Sequence, residues 1–377
     1  MHSIDLPTPI LIKHAKGLEE LVAELAQEPI IAVDTESNSL YAYQEQVCLI
    51  QFSTAKKDYL VDPLALEDVS ALEPLFASRG IEKVFHAAEY DVMTMKRDFG
   101  FEFDNLFDTM VAARILGWKK FGLGSILETR FGVHLNKRYQ RANWGQRPLP
   151  RDMLAYAQLD THYLIPLRDR LQADLKAAQL WDLAAEDFER LRHVDEHESN
   201  DVGEACWRVS GAYDLPAQKA AVLHELCLYR DKMAKAMDRP LFKVINDRSL
   251  LAIAEATPRN LRELRPLPGM TNRQVQRHSE GLLRAVERGL KSEPLYPPRS
   301  PRPDDDYLDR VDALRYWRKI TARQMGVNSD VVMPRDLLYT IASKNPRLER
   351  DLNTILQEVP WRRERFGEEI LEVLDGV

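Results

Sequence analysis

Asp34 and Glu36 stand two residues apart at the end of the apolar run 30–33, "IIAV". Side chains at i and i+2 of a strand point to the same side, so two carboxylates aim one way with no Lys or Arg beside them in sequence. Two further segments set acids in comparable positions. In "KVFHAAEYD", residues 83–91, a strand runs through His86 into a helix whose first turn holds Asp91. In "LPRDMLAYAQLDTHYLIPL", residues 149–167, Tyr156 and Asp160 lie four apart, on one face of a helix.

In an α/β sheet, ligands collect at strand ends and the loops beyond them. If Asp34, Glu36, Asp91 and Asp160 converge there, each close pair of charges costs roughly 4 kcal/mol at about 4 Å and an effective dielectric of about 20. Two divalent cations would balance four carboxylates. Hard oxygen ligands without Cys or His suit Mg²⁺ or Mn²⁺ rather than zinc. Two such ions about 4 Å apart fit in-line phosphodiester cleavage, one activating a water and the other stabilising the departing 3′ oxygen. The Tyr156 hydroxyl, a poor base with a reference pKa near 10, would orient that water. Each residue also has an ordinary reading. Asp34 can be a turn residue, Asp91 an acid favoured by a helix dipole, and Tyr156 with Asp160 a hydrogen-bonded helical pair. Spacing alone leaves both readings open.

These side chains need elements to hold them. Up to about residue 175, strand-like and helix-like patterns alternate. Strands are expected at 30–34, 47–53, 58–62 and 82–86, with "VCLIQFS" and "DYLVD" as antiparallel neighbours. Helices are expected at 15–27, 68–78, 89–97, 109–116, 123–131 and 151–177. Beyond them strand signals almost vanish. "HVDEHESND", 193–201, reads as an exposed connector, and the Pro-rich segment 294–306 as a semi-rigid linker. The two helical portions repeat one another at a shift of 88 residues. Arg230 falls on Arg318, Ala234 on Ala322, Leu250 on Leu338, Pro258 on Pro346 and Leu264 on Leu352, without a gap. Domains are therefore expected at 1–200, 210–292 and 307–377, with 293–306 as linker.

Composition sets the class. At 377 residues, 45% hydrophobic and 29% charged, the chain is of ordinary globular type, and no apolar run reaches transmembrane length. The N-terminus lacks a secretory pattern. Cys48, Cys206 and Cys227 are odd in number and widely spaced, which suits free thiols in a reducing cytoplasm. The net charge of −7 conceals sorting into blocks. Residues 182–204 carry nine acids against two bases, 130–151 six bases and no acid, and 257–302 ten bases against four acids.

"DTE" at 34–36, "HAAEYD" at 86–91 and "YAQLD" at 156–160 resemble the three exonuclease motifs of the DEDD superfamily, in its tyrosine branch. With "FDTMVAARILG" at 107–117 and "NWGQRPLPRDMLAYAQLDTHYLIPL" at 143–167, the chain is similar to the ribonuclease D family over nearly its whole length. The helical repeats resemble HRDC domains. The first carries "YRDKMAKAMDRPLFKVINDRSLLAIA" and an "LPGM" hairpin at 267–270; the second has "QEVPW" at 357–361 with no Gly, and should hold a phosphate backbone less well. The resemblance implies an α/β RNase H-like exonuclease domain, a mixed sheet flanked by helices, followed by two all-α HRDC-like domains. It implies two divalent metal ions and 3′→5′ removal of terminal nucleotides from RNA with a free single-stranded 3′ end, typically tRNA precursors. Asp34, Glu36, Asp91 and Asp160 would be metal ligands and Tyr156 the water-positioning residue. Ser37 departs from the pattern, since many members have an aromatic residue directly after the DTE.

Candidate nucleic-acid contacts are His86 at the strand end, then Lys137, Arg138, Tyr139, Arg141 and Trp144, which mix cations with aromatics as single-strand binders do. Arg259, Arg262, Arg273 and Arg277 of the first helical repeat form a second basic patch. A DNA exonuclease of the same superfamily and a non-catalytic nucleic-acid-binding scaffold are the alternatives. A cytoplasmic monomer without membrane association is expected.

Overall fold

The computed structural model describes residues 6–194, 201–298 and 303–377. Six strands form one mixed sheet: β1 (Ile10–Ile12), β2 (Ile30–Ser37), β3 (Val47–Ser53), β4 (Asp58–Val61), β5 (Glu82–Phe85) and β6 (Leu106–Asp108), in the order β1-β4-β3-β2-β5-β6. β2–β3 and β3–β4 pair antiparallel, as expected of "VCLIQFS" and "DYLVD"; the other neighbours are parallel. Nine α-helices are described up to residue 206, eight in the same compact unit as the sheet and the ninth in another. They are α1 (Ala15–Leu25), α2 (Glu73–Ala77), α3 (Glu89–Phe99), α4 (Thr109–Ile115), α5 (Leu123–Phe131), α6 (Arg151–His162), α7 (Leu164–Ala177), α8 (Trp181–Leu191) and α9 (Val202–Cys206).

Alternation along β2 divides the core. Ile31 and Val33 pack with Leu18, Leu21 and Leu25 of α1 and Val92 and Met95 of α3. Ala32 faces the other way, toward Leu167 and Leu171 of α7 and Leu183 of α8. Two apolar layers thus cover both faces of the sheet, and β3 is buried along its whole length.

Three expectations are corrected. β2 runs on through Glu36 to Ser37 instead of stopping at Asp34, because Asp34 pairs with Gln51 and Glu36 with Leu49 of β3. The helix expected over 151–177 is two helices, broken at Tyr163 (φ −97°, ψ 0°). Pro166 has no N–H to return to the His162 carbonyl, which ends the first segment. Cys206 and Cys227 are joined, with S–S 2.08 Å, and only Cys48 is free; sequence spacing did not reveal that α9 folds back on the following helix. β1 and β6 were too short to show a period. The connector expected at 193–201 falls largely on residues outside the described ones, as does 299–302 of the Pro-rich linker.

The helical repeats are α10 (Ala217–Met237), α11 (Leu241–Val244), α12 (Asp247–Ala256), α13 (Leu261–Leu264) and α14 (Asn272–Lys291), then α15 (Asp305–Met325), α16 (Ser329–Val332), α17 (Arg335–Lys344), α18 (Glu349–Ile355) and α19 (Pro360–Asp375). The chain sorts into two compact units. One comprises 1–37, 47–195 and 302–377; the other comprises 38–46 and 196–301, as far as these are described. In the second unit Tyr43 binds Asp231 through its hydroxyl at 2.7 Å, and Lys243 lies 3.8 Å from the Tyr41 ring centre. Gly269 of the "LPGM" hairpin has φ +77°, and a Cβ there would lie 2.0 Å from Ser249 Oγ, so the turn needs glycine.

In the first unit the second repeat packs on α8. Arg362, fully buried, reaches Glu186 at 3.1 Å and Asp187 at 2.9 Å, while its Nε donates to the Val332 carbonyl at 3.2 Å. Its counterpart in the first repeat, Gln274, donates to the equivalent carbonyl of Val244 at 2.9 Å. A longer, charged side chain at one position of the repeat makes the additional attachment.

Candidate active site

Even-numbered residues of β2 face α6, so Asp34 and Glu36 look toward the helix that carries Tyr156 and Asp160. Ligand oxygens of Asp34, Glu36 and Asp160 all lie within 4.8 Å of one another. Asp91 enters from α3 and stands outside that group. It accepts a hydrogen bond from Thr35 Oγ1, the odd residue between the two β2 acids, and its charge acts on the other three. β5 delivers it through a tight turn in which Ala87 adopts φ 65°. Asp108 caps that turn by accepting from the Ala87 and Ala88 N–H groups at 3.1 and 2.7 Å, and it also caps α4.

Burial pushes all four carboxyls up, and repulsion within the group adds to it for Asp34, Glu36 and Asp160. Asp34 is raised first by burial, then by Asp91, Asp160 and Glu36; Glu36 by burial, then by Asp160 and Asp91. Burial lifts Asp91 to about 7 against the Thr35 hydrogen bonds, and Asp160 to about 8 against the Tyr156 hydrogen bond. The Tyr156 phenol is driven far above its ordinary value by burial and by Asp160, Glu36 and Asp34, so it keeps its proton. The set is all carboxylate oxygen, crowded and uncompensated by any cation in its own cluster, which fits a hard divalent ion.

Asp34, Glu36, Tyr156 and Asp160 floor a cavity of about 520 Å³ that is also lined by Thr35, His86, Gly122–Ser125, Leu135, Lys137 and Gln140. The Thr109 hydroxyl donates to the Phe85 carbonyl at 2.9 Å and meets His86 Nδ1 at 2.9 Å, which assigns the proton to Nδ1 and leaves Nε2 an acceptor. Burial lowers the His86 pKa, so the ring is neutral. Lys137 is exposed at the cavity wall. Arg138 is exposed beside it, stacked 4.5 Å over the Tyr139 ring and 3.6 Å from Asp152. Arg141 is also exposed.

Trp144 is a correction. It is 1% exposed and packs among Cys48, Leu49, Leu60, Met153 and Tyr156, with its ring 6.2 Å from that of Tyr156. A buried indole cannot stack on a nucleobase; it backs the tyrosine instead. Arg147, in the same basic block, is a clamp on Asp62 at 2.6 Å. In the second unit Arg259, Arg262, Arg273 and Arg277 are all exposed. Arg259 lines a groove in which Arg284 pairs with Glu280 and Lys291 with Glu287, so that face is mixed in charge. Sequence reasoning missed Thr35, Asp108, Gln140 and the Gly122–Ser125 turn. Of these only Asp108 had a signal, an Asp-Thr pair before a helical period.

Residues 9–176 match the 3′-5′ exonuclease family, and residues 219–286 and 308–374 each match the HRDC domain family. Ribonuclease D of Nitrobacter hamburgensis is 29% identical over 97% of this chain and 95% of its own. The catalytic core of RRP6 from Trypanosoma brucei is 31% identical, with a TM-score of 0.68 over 78% of this chain and 82% of that one. Escherichia coli RNase D, at 24% identity, shares the fold with a TM-score of 0.72 over 98% of this chain and 99% of that one. The chain spans 31–60% of the length of the RRP6-like proteins of Arabidopsis thaliana that it matches. Among the described residues no helix is long and apolar enough to cross a membrane.

Proposed function

The chain belongs to the 3′-5′ exonuclease family, with HRDC domains after the nuclease domain, and from that premise we propose a metal-dependent 3′-5′ exoribonuclease acting in tRNA 3′ maturation. The observation that carries the reading is the meeting of Asp34, Glu36 and Asp160 within 4.8 Å, with Tyr156 lining the same cavity and the charge of Asp91 acting on all three acids. Asp34, Glu36, Asp91 and Asp160 would hold two divalent ions, Mg²⁺ or Mn²⁺. When bound, these supply water activation and charge neutralisation for phosphodiester hydrolysis.

The remaining roles fall to the chain's own groups. Tyr156 keeps its proton and hydrogen-bonds Asp160, so it orients a water and does not deprotonate it. His86 Nε2 is an acceptor at the cavity wall. An acceptor repels phosphate oxygens but takes a hydrogen bond from a ribose hydroxyl, which favours RNA. Lys137 and the first turn of α5 lie on the same wall, where a cation and free N–H groups suit a phosphate. The protein would work as a cytoplasmic monomer, with Cys206–Cys227 the one feature at odds with a reducing compartment.

The test is shortening of a 5′-labelled RNA with a free 3′ hydroxyl, with Mg²⁺ or Mn²⁺, beside a DNA of matched sequence. Single-nucleotide steps on RNA, absent with EDTA and in Asp34→Asn, are expected. Shortening that persists in Asp34→Asn, or DNA cut as fast as RNA, would overturn the assignment.

A further inference from the structure

The helical repeats keep one frame. α10, α11 and α12 recur as α15, α16 and α17 with the same lengths, each element displaced by the same interval. One arginine is retained in that frame. Arg230 Nη1 donates to the Ile245 carbonyl at 3.2 Å, and Arg318 Nη1 to the equivalent carbonyl of Met333 at 3.0 Å. The surroundings of the guanidinium are not retained. Arg230 is neutralised by Asp247, the first residue of α12. The first residue of α17 is Arg335, while Arg315 stands where the first repeat has Cys227 and Tyr339 where it has Leu251. The guanidinium carbons of Arg315 and Arg335 lie 5.5 and 5.3 Å from the Tyr339 ring centre, and Arg315 also donates to the Tyr339 hydroxyl.

A closed Arg–Asp pair has given way to two guanidinium groups over one ring, near enough to Arg318 for their charges to act on it. Nearby carboxylates are committed elsewhere. Asp330 engages Arg114 of α4, Asp336 engages Arg190 of α8 at 2.7 Å, and Asp312 approaches Arg315 only at 3.5 Å from a position 79% exposed. Burial lowers the Arg318 pKa, and the charges of Arg315 and Arg335 add to that against Asp330. Three like charges, offset only by the exposed Asp312 and by an Asp330 shared with Arg114, leave room for an anion. Planar guanidinium forks match phosphate oxygens.

We propose that Arg315, Arg318, Arg335 and Tyr339 form a phosphate-recognising site on the second helical repeat, taking the phosphodiester backbone of RNA away from the end being trimmed. The proposal rests on the exoribonuclease reading for its ligand. It fits the location, because this repeat belongs to the same compact unit as the four carboxylates. It also reverses the expectation that the second repeat is the weaker phosphate binder.

Arg335→Asp restores the first repeat's carboxylate beside the half-buried Arg318 guanidinium, so the fold is expected to keep or raise its melting temperature while the site loses charge. Arg315→Gln is the second variant. Binding of a 5′-labelled single-stranded RNA is followed by fluorescence anisotropy in EDTA across a salt series. Each substitution should weaken binding by about ten-fold at low salt and flatten the slope of log K against log salt by about 1. In steady-state shortening with Mg²⁺ the loss should fall on KM. Wild-type affinity and salt slope in both variants would overturn the proposal. RNA binding lost on substitution, in a protein that hydrolyses no RNA, would keep this site and remove the exoribonuclease reading. Normal hydrolysis with unaltered binding would do the reverse.

Discussion

Asp34→Asn is expected to make the metal-free protein more stable while ending its chemistry. The oxygens of Asp34, Glu36 and Asp160 lie within 4.8 Å of one another. At that separation and an effective dielectric of about 20, each fully charged pair costs ~3 kcal/mol. Protonation relieves part of this, since Asp91 and Asp160 are raised to about 7 and about 8. In the unfolded chain carboxyls titrate near 4. Between roughly pH 4 and the raised folded values, the native state therefore holds protons that the unfolded state has released. Stability must then fall as pH rises through that window and level off above it. Near pH 8 the penalty is larger than near pH 5, since Asp91 has then lost its proton and Asp160 is losing its own. Removing one charge there should gain ~1–3 kcal/mol, and less near pH 5. Divalent cation reverses the order. At a hundred-fold excess over its dissociation constant it adds about 2.7 kcal/mol to the protein that binds it, and an amide is the poorer ligand. Urea unfolding of both proteins at these two pH values, in EDTA and in Mg²⁺, measures all four quantities. No gain for Asp34→Asn near pH 8 in EDTA, an equal gain near pH 5, or equal stabilisation of both proteins by Mg²⁺ would refute the reasoning.

Tyr156→Phe removes the hydroxyl beside Asp160 but leaves the ring against Trp144 and Tyr139. It should slow RNA shortening by ~10²-fold, less than Asp160→Asn; an equal loss in the two variants would contradict the division between ion holding and water positioning. Arg362→Gln installs the residue of the first repeat. It leaves Glu186, buried and already raised by desolvation, without its partner, at ~3–5 kcal/mol of unfolding free energy. Adding Glu186→Gln should recover most of that in denaturant titration, and a double variant as unstable as the single one would show that the charge pair is not the cause.

The convergence of the acids was legible because two short-range rules act on it. Period two put Asp34 and Glu36 on one side of β2, and a spacing of four put Tyr156 and Asp160 on one side of α6. What those rules do not reach is the support. Thr35 points away from its neighbours and so meets Asp91 from α3, a contact set by the packing of a residue 56 positions downstream. Trp144 read as a reader of bases because aromatics among cations are common in such surfaces. Yet its burial follows from its place between β3 and α6, which local composition does not encode. The break at Tyr163 was readable from Pro166 and was overridden by an unbroken apolar period. The Cys206–Cys227 bond depends on α9 folding back against α10, a tertiary event.

The repeats show how one frame takes up different tasks. The bounds of the first three helices and the arginine-to-carbonyl contact are common to both, so that part of the backbone does not distinguish them. The differences sit at a few polar positions. Gln274 in the first repeat is Arg362 in the second, which converts a backbone contact into a buried attachment to α8. Asp247 is replaced by Arg335 and Cys227 by Arg315, which converts a neutralised guanidinium into a cationic surface. Both changes add charge where the first repeat has a closed local pair or a neutral amide, and each needs a partner outside the repeat. For Arg362 that partner is Glu186 of α8; for Arg315, Arg318 and Arg335 it is the backbone phosphate of the RNA. Attachment and anion recognition then belong together, because a backbone contact helps to hold a 3′ end at the carboxylates only when the surface making it is fixed to the domain that cuts.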